Sequence, residues 1–314
     1  MLKESEEISL LKKVEQHFGS EWIRNFYSNP VFVVSAPRSG STLLFELLTK
    51  APDVWSVGGE SHGIFQIFPH LEAENPAFDS GRLTEAHADD ETSRLFRAAF
   101  LYLLQDRKER RYINLTLPDR PRNVCFLEKT PRNSLNIPFL LKVFPNARFI
   151  FLYRDAKQNI GSIIDAWAIG KEKGTFVTFR NLPNWDRDHW CLLLPPGWRE
   201  LKGKPTADIA AFQWRSANEA ILDELEKLPR ERWIALSYAN LTAAPETEIR
   251  SLCTFSQAGF DNQLKQLVSK DLEMSESSVS PPDPNKWKRH EQGILAALPS
   301  CQAVIDRLNS LKNG

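Results

Sequence analysis

Val31-Phe32-Val33-Val34 is an unbroken apolar run that stops at Pro37 and Gly40, and helical spacing resumes at once in Ser41-Thr42-Leu43-Leu44-Phe45-Glu46-Leu47-Leu48. A strand without polar alternation has to be covered on both faces, and a tight loop leading straight into a helix supplies one of the covers. The pattern recurs along the chain. Val124-Cys125-Phe126-Leu127 precedes a helix near 134–143, and Phe149-Ile150-Phe151-Leu152 precedes one near 156–168. Trp233-Ile234-Ala235-Leu236 follows a long helix carrying Phe212, Ala220, Ile221 and Leu225. Strands alternating with helices predict an α/β fold with a parallel central sheet flanked by helices, here a single domain over 1–314. Ahead of it, Ile8, Leu11, Val14, Phe18 and Trp22 lie three or four apart and predict one amphipathic helix over 5–27.

Charge and cysteine usage exclude several classes. Forty Lys and Arg balance forty Asp and Glu, so no surplus of cations is available for general binding to nucleic acid or anionic membranes. The start, MLKESEEISL, alternates charges where a signal peptide needs an apolar core, and no apolar run reaches the ~18 residues of a membrane span. A cytoplasmic protein is expected. Cys125, Cys191, Cys253 and Cys301 lie far apart without CxxC or Cys/His clusters, which predicts reduced, buried thiols and no metal site.

Two stretches break the strand–helix rhythm. Residues 171–205 mix Trp185, Trp190 and Trp198 with Pro and charges and carry no period. So many aromatics disfavour disorder, so the stretch reads as a lid-like insertion over a pocket, with a merely packed surface insertion as the alternative. Residues 275–290 are Ser/Pro-rich and then abruptly basic, with Lys286, Trp287, Lys288 and Arg289 together.

The loop Ser35-Ala36-Pro37-Arg38-Ser39-Gly40-Ser41-Thr42 joins the first strand to its helix, where backbone N–H groups form a cradle for an anion. Its spacing copies a Walker A loop, but Ser35 replaces the first Gly and Ser41 replaces the Lys, which disfavours an ATPase or kinase. Arg38 brings a permanently charged fork, and Ser39, Ser41 and Thr42 bring hydroxyl donors, a set suited to a phosphosulfate held without metal. Arg154 ends the third predicted strand, and Ser162 follows about two helical turns later. The two can converge on one phosphate.

VFVVSAPRSGSTLL followed by RFIFLYRDAKQNIGSIIDAW resembles the PAPS-dependent sulfotransferase family, as do ALSYANLTAAPETEIRSLCTF and the basic NKWKRH near the C-terminus. The resemblance implies a P-loop-like sulfotransferase fold that uses 3′-phosphoadenosine 5′-phosphosulfate (PAPS) and releases the bisphosphate PAP. It implies that Arg38, Ser39, Gly40, Ser41 and Thr42 cradle the phosphosulfate, that Arg154 and Ser162 bind the 3′-phosphate, and that Tyr238, Lys286, Trp287 and Lys288 help hold the nucleotide. Arg38 stands where the cytosolic sulfotransferases carry a lysine, as in the tyrosyl-protein branch.

Sulfuryl transfer to an alcohol needs a base and cationic donors. Glu60, in Gly58-Gly59-Glu60-Ser61-His62, resembles the family's catalytic glutamate, and helix capping is its other reading. Lys129, ending the second predicted strand, is expected to stabilise sulfuryl charge, with a plain strand-end lysine as the alternative. His62, His189 and His290 are reserve bases, ranked below Glu60. GGESH, the insertion and PNKWKRH together resemble the sulfotransferase domains of cyanobacterial polyketide and olefin synthases, of the curacin-pathway or olefin-synthase type. That narrower resemblance implies an acyl carrier protein bearing a β-hydroxyacyl chain as partner, with sulfonation preparing thioesterase hydrolysis and decarboxylative elimination to a terminal alkene. A small-molecule or tyrosyl-protein sulfotransferase, or a non-catalytic nucleotide-binding module, are the alternatives.

Overall fold

Among the described residues the chain forms seven strands: β1 (Val31–Val34), β2 (Val54–Trp55), β3 (Cys125–Lys129), β4 (Arg148–Tyr153), β5 (Val177–Arg180), β6 (His189–Cys191) and β7 (Trp233–Ser237). The structure is a computed structural model, and it describes residues 5–72, 79–270, 272 and 283–311. Residues 275–282 of the Ser/Pro-rich stretch lie outside the described residues.

The central sheet runs β2-β3-β1-β4-β7, and its pairings are all parallel. The side-chain period of two sorts β1 and β4 between two cores. Phe32, Val34, Phe149 and Phe151 face an aromatic layer, where Phe32, Phe126 and Phe144 meet beneath the helices Asp90–Leu103, Ile137–Val143 and Thr206–Leu225. Val31, Val33, Ile150 and Leu152 face a smaller aliphatic layer beneath the helices Ser41–Leu48 and Pro245–Ser256. Burial on both faces is why these strands read as unbroken apolar runs.

From β1 the chain moves to β2 and β3 on one side and later to β4 and β7 on the other. The order therefore reverses at β1, and the crevice for a ligand opens at the carboxyl ends of β1, β3 and β4.

The structure differs from the sequence expectations in four places. The helix expected over 5–27 is two, Glu6–Phe18 and Ser20–Phe26, because Gly19 adopts φ +84° and its N–H closes the first helix on the Glu15 carbonyl at 2.7 Å. The helix expected near 134–143 begins as a 3₁₀ turn, Pro131–Leu135, and turns α-helical at Ile137–Val143. The edge strand β2 has two residues, too few for a periodic signal. Finally, 171–205 is not aperiodic in space. The helix Ala156–Lys173 runs further than expected, and β5 and β6 form an antiparallel hairpin. The tryptophans there do not wait for a ligand: Trp190 and Trp198 are fully buried, their rings 5.6 Å apart with Trp185 against both. Their indole N–H groups donate to the carbonyls of Leu193 and Asp79, each at 2.7 Å. Such large apolar rings gain more from the core than from an open wall.

Candidate functional site

A cavity of about 2200 Å³ opens at the crevice. Its floor is the loop after β1. Arg38 and Gly40 both take left-handed backbone conformations, φ +65° and +97°, turning the loop back over the start of the helix Ser41–Leu48. At position 40 only glycine suits both that dihedral and the packing, since a Cβ would collide with the Tyr238 ring. The loop is braced from below: Ser39 Oγ donates to Asn159 Oδ1 at 2.7 Å, and Asn159 Nδ2 donates to the Pro37 carbonyl at 2.8 Å. Ser39 and Asn159 are completely buried, so the Ser39 hydroxyl, expected to face the phosphosulfate, is committed to the loop itself.

Arg38 and Arg154 converge over this floor. Arg154 Nη1 donates to the Arg38 carbonyl at 3.4 Å, and its guanidinium lies 4.7 Å from the centre of the Tyr238 ring. The Arg38 guanidinium lies 4.7 Å from the centre of the Phe176 ring, at the foot of the β5–β6 hairpin. Burial, and then the charge of Arg154, lowers the pKa of Arg38. Two desolvated guanidiniums side by side favour an anion between them. Ser162, Lys286 and Trp287 line the same end of the cavity, whereas Lys288 is exposed and off its wall.

At the other side of the floor, β3 delivers Lys129, only 3% exposed, whose Nζ donates to Glu60 Oε1 at 2.5 Å and to Thr42 Oγ1 at 3.2 Å. Glu60 Oε2 meets His62 Nε2 at 3.0 Å. Burial pushes the Glu60 carboxyl up, but the hydrogen bond from His62 and the charge of Lys129 outweigh it and hold the carboxyl down at about 2. Glu60 is therefore an ionised carboxylate tied to a buried ammonium, in a loop ahead of the helix His62–Gln66 rather than capping it. His290 is not brought here; it bonds Asp165 at 2.9 Å. His189 is buried and bonds Asp188.

Beneath this pair sits a group that sequence reasoning passed over. Glu128, 1% exposed, accepts from Ser61 Oγ at 2.7 Å and from Thr130 Oγ1 and Asn133 Nδ2, each at 2.5 Å. Ser61 N–H also donates to Thr130 Oγ1 at 2.7 Å. The network fastens the Glu60 loop to the end of β3, so Glu60 and Lys129 are held in one frame. A carboxylate inside an apolar strand was the available signal, because such a group is buried only when it is fully hydrogen-bonded.

The fold and site define a class: an α/β protein with a cationic anion cradle at the switch point of a parallel sheet and a carboxylate–lysine pair beside it. The sulfotransferase family model matches residues 30–192, a span that includes the loop, the pair and Arg154, and the chain belongs to that family. Among curated relatives, protein-tyrosine sulfotransferase A of Caenorhabditis elegans is 22% identical over 249 residues, covering 78% of this chain and 55% of its own. Protein-tyrosine sulfotransferase 1 of Danio rerio is 28% identical over 151 residues, 48% of this chain and 39% of its own. The chain thus spans about half or less of the length of these relatives. Among solved structures, the sulfotransferase domain from the curacin biosynthetic pathway aligns with TM-score 0.46 and 19% identity over 82% of this chain and 85% of its own. The sulfotransferase domain of the Synechococcus PCC 7002 olefin synthase aligns with TM-score 0.46 and 18% identity over 83% and 87%.

Proposed function

We propose that the protein transfers the sulfuryl group of PAPS to a hydroxyl, and that the acceptor is the β-hydroxyl of an acyl chain on a carrier protein. The observation that carries the transfer reading is the joint placement of Arg38, Arg154 and Lys129 around one crevice with an ionised Glu60 beside them. The residues fit the nucleotide: the loop from Gly40 to Thr42 lines the cavity beside Tyr238, and the guanidiniums of Arg38 and Arg154 line the same cavity. Arg38 and the loop from Gly40 to Thr42 would hold the phosphosulfate, and Arg154, Ser162 and Lys286 the 3′-phosphate. When bound, PAPS supplies an activated sulfuryl group on a phosphate leaving group.

The chain's own residues then have defined tasks. Glu60 takes the proton of the acceptor hydroxyl as its oxygen bonds to sulfur and the sulfur–oxygen bond to the phosphate breaks. Lys129, whose Nζ lies between Glu60 and Thr42, would offer its ammonium to the negative charge that accumulates on a transferring sulfuryl group, and any contact it gave up to Glu60 in doing so would raise the basicity of that carboxylate. His62 steadies the second carboxylate oxygen.

The acyl-chain acceptor draws on the apolar wall built by Val177, Phe179, Leu192 and Leu194, which suits a hydrocarbon chain beside the reacting hydroxyl. Sulfonation there would prepare a partner thioesterase step and loss of carbon dioxide. A second reading, a tyrosyl side chain in a protein as acceptor, is favoured by the curated relatives. Mass spectrometry after incubation with PAPS tests both: a gain of one sulfuryl group on β-hydroxyacyl carrier protein supports the first, a gain on a tyrosyl peptide alone supports the second, and no gain on either refutes both acceptors.

A further inference from the structure

The basic segment near the C-terminus is held in an unexpected way. Residues 286–290 form a short 3₁₀ helix in which no side chain is fully buried; Trp287 packs against the edge of the main core, and Asp165 gathers the polar side chains. This carboxylate, 14% exposed, stands one helical turn beyond Ser162, and its two oxygens collect three donors from the turn. Lys286 Nζ and Arg289 Nη2 reach Oδ2 at 3.3 and 2.9 Å, and His290 Nε2 reaches Oδ1 at 2.9 Å.

The same helix makes room for the turn. At Gly161, next to Ser162, a Cβ would stand 3.0 Å from the Trp287 Cβ and 3.1 Å from its Cα, so the absent side chain is what lets the 287 backbone lie flat on the helix. Lys157, one turn earlier, stands 5.1 Å from the centre of the Trp287 ring. Three successive turns of one helix face therefore serve the segment, and Ser162 lies among them.

We propose that Asp165 is a positioning residue of the nucleotide site, the anchor that docks the 286–290 turn so that Lys286 and Trp287 close the cavity at its 3′-phosphate end. The proposal rests on the reading of this cavity as a PAPS site. One carboxylate offsets only one of the two permanent cations it gathers, so the cluster keeps a net positive charge for the phosphate while being fixed in place. Asp165 does not touch the nucleotide; it acts through Lys286 and Trp287.

The sign of the effect separates anchoring from simple charge. If Asp165 were only a nearby negative charge, its removal would tighten binding of an anion. Anchoring requires the reverse. Titration calorimetry on the full chain with two probes, PAP and adenosine 5′-phosphosulfate, which lacks the 3′-phosphate, decides it. Asp165→Asn should weaken PAP by about tenfold, the scale of one charge-assisted contact, without weakening adenosine 5′-phosphosulfate, since the Asp165 charge also opposes that of Arg38. The double substitution Arg289→Gln with His290→Gln removes two of the three anchoring bonds from outside the cavity and should reproduce the PAP-specific loss, guarding against an Asp165 variant that folds poorly. Unchanged or tighter PAP binding in either variant, or equal losses for both probes, would overturn the anchor. Wild-type protein that binds neither probe refutes the PAPS reading, a result distinguishable from failure of the anchor alone.

Discussion

Replacing Glu60 by Gln separates the chemistry of the Glu60–Lys129 pair from its structural role. The amide is nearly isosteric and can still accept from Lys129, but it cannot take the acceptor's proton. A positioned base contributes about 10²–10⁴-fold to a rate. The upper end is expected for an alkyl hydroxyl, as weakly acidic as water, and the lower end for the far more acidic phenol of a tyrosyl side chain. Stability should change less. Lys129 is 3% exposed and loses its carboxylate, which in a fully buried pair would cost about 3–5 kcal/mol. Glu60 is 36% exposed, and solvent screening together with the retained amide hydrogen bond reduces this to about 1 kcal/mol. The assay is single-turnover sulfuryl transfer with PAPS saturating, beside urea unfolding of the same preparations and PAP titration. Near-normal turnover in a folded Glu60→Gln protein would refute the base assignment and direct attention to His62.

Arg154→Ala should weaken PAP binding by roughly 10- to 150-fold, the equivalent of a lost charge-assisted contact of about 1.5–3 kcal/mol; calorimetry giving wild-type affinity removes Arg154 from the 3′-phosphate site. Glu128→Ala strands the Asn133 amide and leaves the Ser61 and Thr130 hydroxyls, 3.0 Å apart, only each other, and should lower the unfolding free energy by about 2–4 kcal/mol; a loss below about 1 kcal/mol in urea would show that the network is dispensable. Because the folded Glu60 carboxyl sits at about 2 against an ordinary 4.5, its contribution to stability is complete above pH 4.5 and is lost as pH falls toward 2. The stability gap between wild type and Glu60→Gln should therefore narrow between pH 5 and 2, and a gap that widens there contradicts the pairing. Exchanging the β5–β6 hairpin should alter acceptor choice more than nucleotide affinity, since Val177 and Phe179 of β5 line the cavity; a swap that abolishes PAP binding and spares acceptor preference assigns the hairpin to the nucleotide instead, through the neighbouring Phe176 on Arg38.

The parallel sheet was legible because burial on both faces writes itself as local composition: β1, β3, β4 and β7 each appear as an apolar run followed or preceded by a helical period. The loop at 35–42 was legible because a strand, a glycine and a helix start in that order leave backbone donors pointing outward whatever surrounds them. Arg38, Arg154 and Lys129 could be singled out because each lies at or just beyond the end of a strand legible in the sequence, where a parallel sheet gathers its ligands, whereas Glu60 was marked only by the resemblance of GGESH to the family's catalytic segment.

What joins those segments lies outside any one of them. Glu128 bonds Ser61 across 67 residues, Ser39 bonds Asn159 across 120, and Asp165 bonds His290 across 125. No period or spacing encodes such pairs, because each depends on which elements the sheet order brings side by side. The tryptophans of 171–205 make the same point in reverse: a sequence lists aromatic rings, but only packing decides between a ligand-facing wall and a core, and the larger apolar burial of the core prevailed for Trp190 and Trp198. Local pattern alone specifies β1, β3, β4 and β7, the anion loop and the identities of the charged groups around it, but neither the two-residue edge strand β2 nor the β5–β6 hairpin. The tertiary structure decided which hydroxyls are spent on bracing, which carboxylate meets which cation, and where the basic turn docks, since these follow from contacts between elements far apart in the chain.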